Sequence, residues 1–157
     1  MKKRTMRNWF IFLFILGLVV GFLIPWDVRD MIKQNQKKGF QSQVINIQTK
    51  LGQLDHNIEG LNYSIVSTSD DMGVMLARLT GSVPMHIHPK ESHVIFVYRG
   101  NIKLVMSGTP YFLGPGSLVT IPAKIPHSIE KVGDLPAEAI VISQPPANPQ
   151  DLQFVQN

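Results

Sequence analysis

Between Leu61 and Ser143, short runs of β-branched, aliphatic and aromatic residues alternate with Gly, Pro, Asn and Asp punctuation. This limits the region to an all-β architecture. Leu61 to Val66 is followed by Ser69-Asp-Asp71, Val74 to Leu79 by Gly81, Val94 to Tyr98 by Gly100-Asn101, and Ile102 to Met106 by Gly108 and Pro110. Tyr111 to Leu113, Leu118 to Ile121, His127 to Val132 and Ala139 to Ser143 continue the series. Even spacing of this kind indicates a sandwich or barrel. No stretch after residue 60 shows helical periodicity.

Four of the five histidines fall inside this region, at His86, His88, His93 and His127. Neutral imidazole is the commonest protein ligand for first-row transition metals. His86 and His88 are two apart, so on an extended strand both rings leave the same face, whereas on a helix they would diverge by roughly 200°. Pro84 and Pro89 bracket the pair, and His93 opens the run Val94-Ile-Phe-Val-Tyr98. The spacing therefore predicts two strands presenting three imidazoles to one interior point, with His127 arriving from a distant segment. A solitary histidine is more often a hydrogen-bonded core or surface residue, but clustering favours a metal site. His56, in Leu-Asp-His-Asn, reads as a solvated loop residue. Strand parity turns Ile95 and Val97 inward with His93, and Ile129 with His127, which predicts an apolar pocket wall.

The chain of 157 residues has no cysteine, which excludes disulfides, thiolate metal sites and a cysteine nucleophile. Any metal must be held by nitrogen and oxygen. The net charge of +4 is unevenly placed: residues 1–40 hold eight Lys or Arg against two Asp, while residues 41–157 hold seven against nine acids. The folded region is mildly acidic, so nucleic-acid binding is set aside.

Trp9 to Trp26 is a run of 18 uncharged residues preceded by Lys2, Lys3, Arg4 and Arg7. At about 1.5 Å per residue a helix there reaches across a bilayer core, and the terminal tryptophans suit its interfaces. An uncleaved anchor is favoured over a cleaved signal, because Val19-Val-Gly21 is a poor cleavage site and no Ala-x-Ala follows. Lys and Arg flank both ends, and the dense N-terminal tail favours placing the remainder on the periplasmic or extracellular side. Residues 27–60 read as a polar stalk or linker, with Ser42 to Gln48 a candidate edge strand. The proline-rich stretch from Ser143 to Gln150 predicts an extended tail along the barrel.

These residues resemble the cupin superfamily, whose first motif runs Gly, five residues, His-x-His, three or four residues, Glu, six residues, Gly. Gly81, His86, His88 and Gly100 take those positions, with four residues after Gly81 and with His93 where the Glu is expected. In the second motif Gly116, Pro122 and His127 match, while Lys124 replaces a Gly and Lys131 an Asn. The resemblance covers roughly residues 60–145. With the N-terminal transmembrane helix and linker read from the apolar run and polar composition, the expected organisation is an anchor or signal at 1–26, a stalk at 27–60, a barrel at 61–145 and a tail at 146–157. The resemblance implies that this barrel is a double-stranded β-helix, or jelly-roll barrel. It also implies a divalent metal on His86, His88, His93 and His127. Exchange of carboxylate for imidazole favours Cu, Ni or Zn over Mn, and the resemblance adds Fe, which relatives of this fold hold on three or four histidines.

Two functions follow from that resemblance: a metal-dependent oxygenase acting on a small organic substrate, or a non-catalytic cupin that binds or senses a small ligand. A homodimer is compatible with either. Glu91 shares strand parity with His93 and reads as a solvated loop charge in preference to a shifted carboxylate ligand. Arg78 and Glu130 read as structural or surface residues. Tyr63, Phe96, Tyr98, Tyr111 and Phe112 read as core or dimer-contact aromatics.

Overall fold

A computed structural model describes residues 37–55 and 58–155. The apolar run 9–26 and His56 lie outside the described residues. Among the described residues, no helix is long and apolar enough to cross a membrane. Contacts divide the chain after Lys37, and the following concerns the unit that begins at Lys38.

Among the described residues, one helix, α1 (Ile47–Gly52), precedes ten strands: β1 (Leu61–Thr68), β2 (Gly73–Leu79), β3 (Ser82–Ile87), β4 (Ser92–Arg99) and β5 (Asn101–Met106), then β6 (Thr109–Leu113), β7 (Leu118–Ile121), β8 (His127–Val132), β9 (Ala137–Gln144) and β10 (Gln153–Phe154). The strands expected from Leu61 onward are all present, because each apolar run ends at a residue that breaks pairing. They form two antiparallel five-stranded sheets, in the orders β1-β2-β9-β4-β7 and β10-β3-β8-β5-β6. This is an all-β jelly roll. Consecutive strands β3 and β4 lie in different sheets, so the short connection between them crosses from one sheet to the other at one end of the barrel.

Side-chain alternation fills the interior. Met75 and Ala77 of β2, Ile95 of β4, Leu104 of β5, Ile121 of β7 and Val141 of β9 form one core cluster, and Leu79, Val83, Val97, Ile102 and Ala137 form a second. The intervening residues of β2 are buried too, because its outer face is covered. Leu51 and Leu54 of the α1 region pack there on Leu76, with Tyr98 and Ile140 beside them.

The polar segment expected as a stalk thus includes a packed helix, and the edge strand expected over Ser42 to Gln48 does not form: residues 41–46 are irregular and Ile47 opens α1. Asn46 explains the start, since its side chain accepts a hydrogen bond from the Thr49 amide as an N-cap. The tail is more ordered than an extended wrap. Pro149–Asp151 forms a 3-10 turn capped by Asn148, and β10 pairs with β3 at Ile87 and His86.

Two backbone positions bear on the motifs. Gly100 has φ +72°, and a Cβ there would lie 2.5 Å from the Pro136 carbonyl oxygen, so only glycine fits. Lys124 takes φ +67°, the left-handed conformation for which the second motif supplies glycine, and its amide donates to the His88 carbonyl at 2.8 Å.

Candidate metal centre

The bulge between Val83 and His86 in the β3–β8 ladder sets the site's geometry, for after it His86 stands directly opposite His127. Their ring centroids are 4.2 Å apart. His88 lies just beyond β3 in the crossing connection, and His93, the second residue of β4, belongs to the other sheet. All four are buried, with exposures of 3% for His86, 9% for His88, 8% for His93 and 2% for His127.

Hydrogen bonds fix two of the tautomers. The Nδ1 of His86 lies 2.7 Å from the Pro84 carbonyl oxygen, and the Nδ1 of His127 lies 2.8 Å from that of Ile125. A carbonyl only accepts, so each Nδ1 carries the hydrogen and each Nε2 keeps its lone pair for a ligand. The Nδ1 of His88 is buried without a hydrogen-bond partner. An orphaned ring nitrogen in a cluster of other ring nitrogens fits a metal site.

Burial holds His88, His93 and His127 down at about 4, and their like-charged neighbours push the same way. Burial also lowers His86, partly opposed by the Pro84 carbonyl. Neutral imidazoles are the ligand form.

The four rings expected to share one point are divided by the structure into two overlapping groups. Ligand atoms of His86, His88 and His127 lie within 4.8 Å of one another, as do those of His88, Glu91 and His93. His88 belongs to both. Glu91 is therefore not a solvated loop charge: it is 3% exposed, because the connection carrying it folds under the C-terminal segment. Its Oε2 sits 3.1 Å from Nε2 of His93, and its Oε1 accepts the Asn148 amide. Asp151 secures the same connection, its Oδ2 accepting from the amides of Lys90 at 2.9 Å and Glu91 at 3.0 Å. Parity with His93 hinted at Glu91, but nothing in the sequence ties residues 148 and 151 to residues 90 and 91.

The rings line a cavity of about 160 Å³ together with Glu91 and Glu138, and its wall includes Met75, Ile95, Val97, Ile129, Val141 and Leu152. Ile95, Val97 and Ile129 face inward as parity indicated. Arg78 lies on the opposite face of β2, 6% exposed, with Nη2 2.7 Å from Glu138. Glu130 is an exposed residue near Lys103. Of the aromatics, Tyr98 packs beneath α1, while Tyr63, Tyr111 and Phe112 are 41%, 41% and 73% exposed, so these three are not core.

Residues 74–143 match the family model described as Cupin domain. The barrel has the cupin fold. The fold is shared with KdgF from Halomonas sp., at a TM-score of 0.59 and 18% identity over 70% of this chain and 97% of that one. TT1209 from Thermus thermophilus gives 0.60 and 21% over 68% and 100%, and Streptomyces PAC13, solved with uridine, gives 0.57 and 14% over 74% and 92%. Among curated proteins, a germin-like protein 1 of Brassica napus is 34% identical over 45% of this chain and 38% of its own length. An uncharacterized protein of Methanocaldococcus jannaschii is 24% identical over 46% and 58%. The chain thus spans about half the length of the curated relatives it matches. In this cupin fold the His-rich cluster can hold a divalent metal.

Proposed function

We propose that this chain is a metal-dependent cupin in which His86, His88, His127 and His93 hold a divalent ion and act with it on a small, largely apolar organic molecule, most readily as an oxygenase. The carrying observation is the pair of Nδ1–H bonds to Pro84 and Ile125, which aim two neutral Nε2 lone pairs into one buried cluster. A bound divalent ion supplies Lewis-acid polarisation of an enol, carbonyl or carboxylate and, where redox-active, electrons for dioxygen. The chain supplies the rest. Its apolar wall excludes water from the reacting end and strengthens electrostatic interactions there.

PAC13 is described as a nucleoside dehydratase and was solved with uridine. The wall here suits a molecule with fewer hydroxyls than a nucleoside, since each buried hydroxyl without a partner costs free energy. A cavity of about 160 Å³ also falls below the roughly 300–1,000 Å³ of sites for drug-sized ligands. The apolar run from Trp9 to Trp26 supports a single-pass tether, with the barrel on the periplasmic or extracellular side.

A binding or sensing role is the second reading, favoured by the placement of the remaining carboxylates. Glu138 is tied to Arg78 and Glu130 faces solvent, so neither stands ready as a general base beside the rings. One experiment decides between them. The full-length chain is loaded with Fe(II), Cu(II), Ni(II) or Zn(II), its metal content is measured by mass spectrometry, and oxygen uptake is followed with small enols, diketones and catechols. Metal-dependent uptake supports the oxygenase; stoichiometric metal with ligand binding and no turnover supports the sensor; absence of stoichiometric metal rejects both.

A further inference from the structure

The position at which the first motif carries a carboxylate is His93 in this chain, yet the fold returns a carboxylate to the same place from residue 91. Glu91 is 3% exposed and its Oε2 stands 3.1 Å from Nε2 of His93. Two donors about 2.1 Å from one ion and at right angles to each other lie about 3 Å apart, so this spacing suits neighbouring ligands.

Charge gives the second argument. Among the described residues, Glu91 forms an ion pair with no Lys or Arg; His93 is its one basic partner. Asp151 brings a second carboxylate to the same connection, its Oδ2 accepting from the amides of Lys90 and Glu91. A buried carboxylate in such company carries a large desolvation cost unless a cation is supplied. The third argument is independent of charge: His88, whose Nδ1 is buried without a hydrogen-bond partner, belongs to the same group of three.

We propose that Glu91 is an oxygen ligand of the metal, sharing the ion with His88 and His93. This rests on the metal-binding reading above. The carboxylate displaced from position 93 is supplied instead by the β3–β4 connection, which the C-terminal segment holds in place through Asn148 and Asp151. The ligand set regains a hard oxygen donor, which extends the accessible metals towards Fe(II), Co(II) and Mn(II).

The test uses the full-length chain titrated with Co(II), comparing wild type with E91Q, which preserves shape and the acceptor for the Asn148 amide. Wild type is expected to bind one Co(II) and to show a shifted carboxylate stretch in the infrared difference spectrum. E91Q is expected to lose that band and more than about 100-fold in affinity, beyond the 10–100-fold typical of a residue that only orients a ligand. Loss of affinity with no carboxylate band in wild type overturns the proposal and leaves Glu91 a positioning residue for His93. Equal affinity in E91Q also overturns it. If E91Q fails to fold, the wild-type infrared spectrum alone decides. If wild type binds no metal of the panel above, the metal-binding reading itself fails and the assignment of Glu91 as a ligand falls with it.

Discussion

His86 and His127 are cross-strand partners that each turn Nδ1–H back to the carbonyl two residues earlier, Pro84 for one and Ile125 for the other. The two strands thereby present the same imidazole edge to one space, and the tautomer is set before any ion arrives. Such carbonyl–histidine arrangements are typical of metal ligands. His127→Ala removes one prearranged donor and leaves His86, His88 and His93. Its affinity for Co(II) or Zn(II) should fall by more than about 100-fold, beyond the usual cost of disturbing an orienting residue. Calorimetric titration of the folded variant checks this, and an affinity within tenfold of wild type removes His127 from the ligand set.

Stability should depend on pH in a direction fixed by the rings. In the metal-free fold burial holds His88, His93 and His127 at about 4, against 6.5 for the ordinary group. Between those values the unfolded chain binds more protons than the folded one, so unfolding free energy rises with pH. Their contribution is complete above about 6.5 and is lost as pH falls towards 4. Glu91, raised by burial, acts in the opposite sense, one group against four lowered rings. With chelator present, Tm should drop by at least about 5 °C from pH 7 to pH 5. Saturating metal should raise Tm at both pH values without reducing that drop, because it binds only the deprotonated rings and leaves the protons taken up by the unfolded chain unchanged. A flat Tm in the chelated protein contradicts the buried neutral cluster.

Much of this arrangement was legible in the sequence because it depends on a period of two. His86 with His88, and His93 with Ile95 and Val97, share faces whatever the sheet order, and Gly and Pro mark where strands end. The misread features depend on distant partners. Glu91 looks solvated in Pro-Lys-Glu-Ser until the turn at Pro149–Asp151 is folded over it. Ser42 to Gln48 offers alternating apolar residues, but Val44 is fully exposed and the productive contact is Leu51 on Leu76.

Gly100 and Lys124 test the two motif positions from opposite sides. Ala at position 100 would combine a left-handed backbone with a Cβ 2.5 Å from the Pro136 oxygen and 2.8 Å from the Ala137 Cα, both backbone atoms that cannot rotate aside. Gly100→Ala should cost about 3 kcal/mol or more. Lys124→Gly relieves a left-handed conformation worth about 1–2 kcal/mol and gives back about 0.5–1 kcal/mol through the freer unfolded chain. A net gain of roughly 0.5–1 kcal/mol is expected, with the amide bond to His88 retained. Urea denaturation with matched m-values checks both. A stabilised Gly100→Ala or a destabilised Lys124→Gly would show that these turns are not held as described.

Leu51 decides whether α1 belongs to the folded domain or merely leads to it. The helix has only six residues, too few to persist in water by itself, so its existence implies that packing holds it. Leu51 is 2% exposed, against Leu76 at 2% on the outer face of β2, with Leu54 completing the contact. Leu51→Ala should therefore cost about 2–5 kcal/mol, as cavity-forming substitutions in a core do. The interior of the barrel lies on the other face of β2, at Met75 and Ala77, so metal affinity should change by less than about threefold once the variant is folded. Thermal unfolding and Co(II) titration of the same sample separate the two effects. An unchanged Tm would return residues 47–54 to the role of a linker, and a large loss of affinity in the folded variant would mean that the outer layer sets the position of the rings.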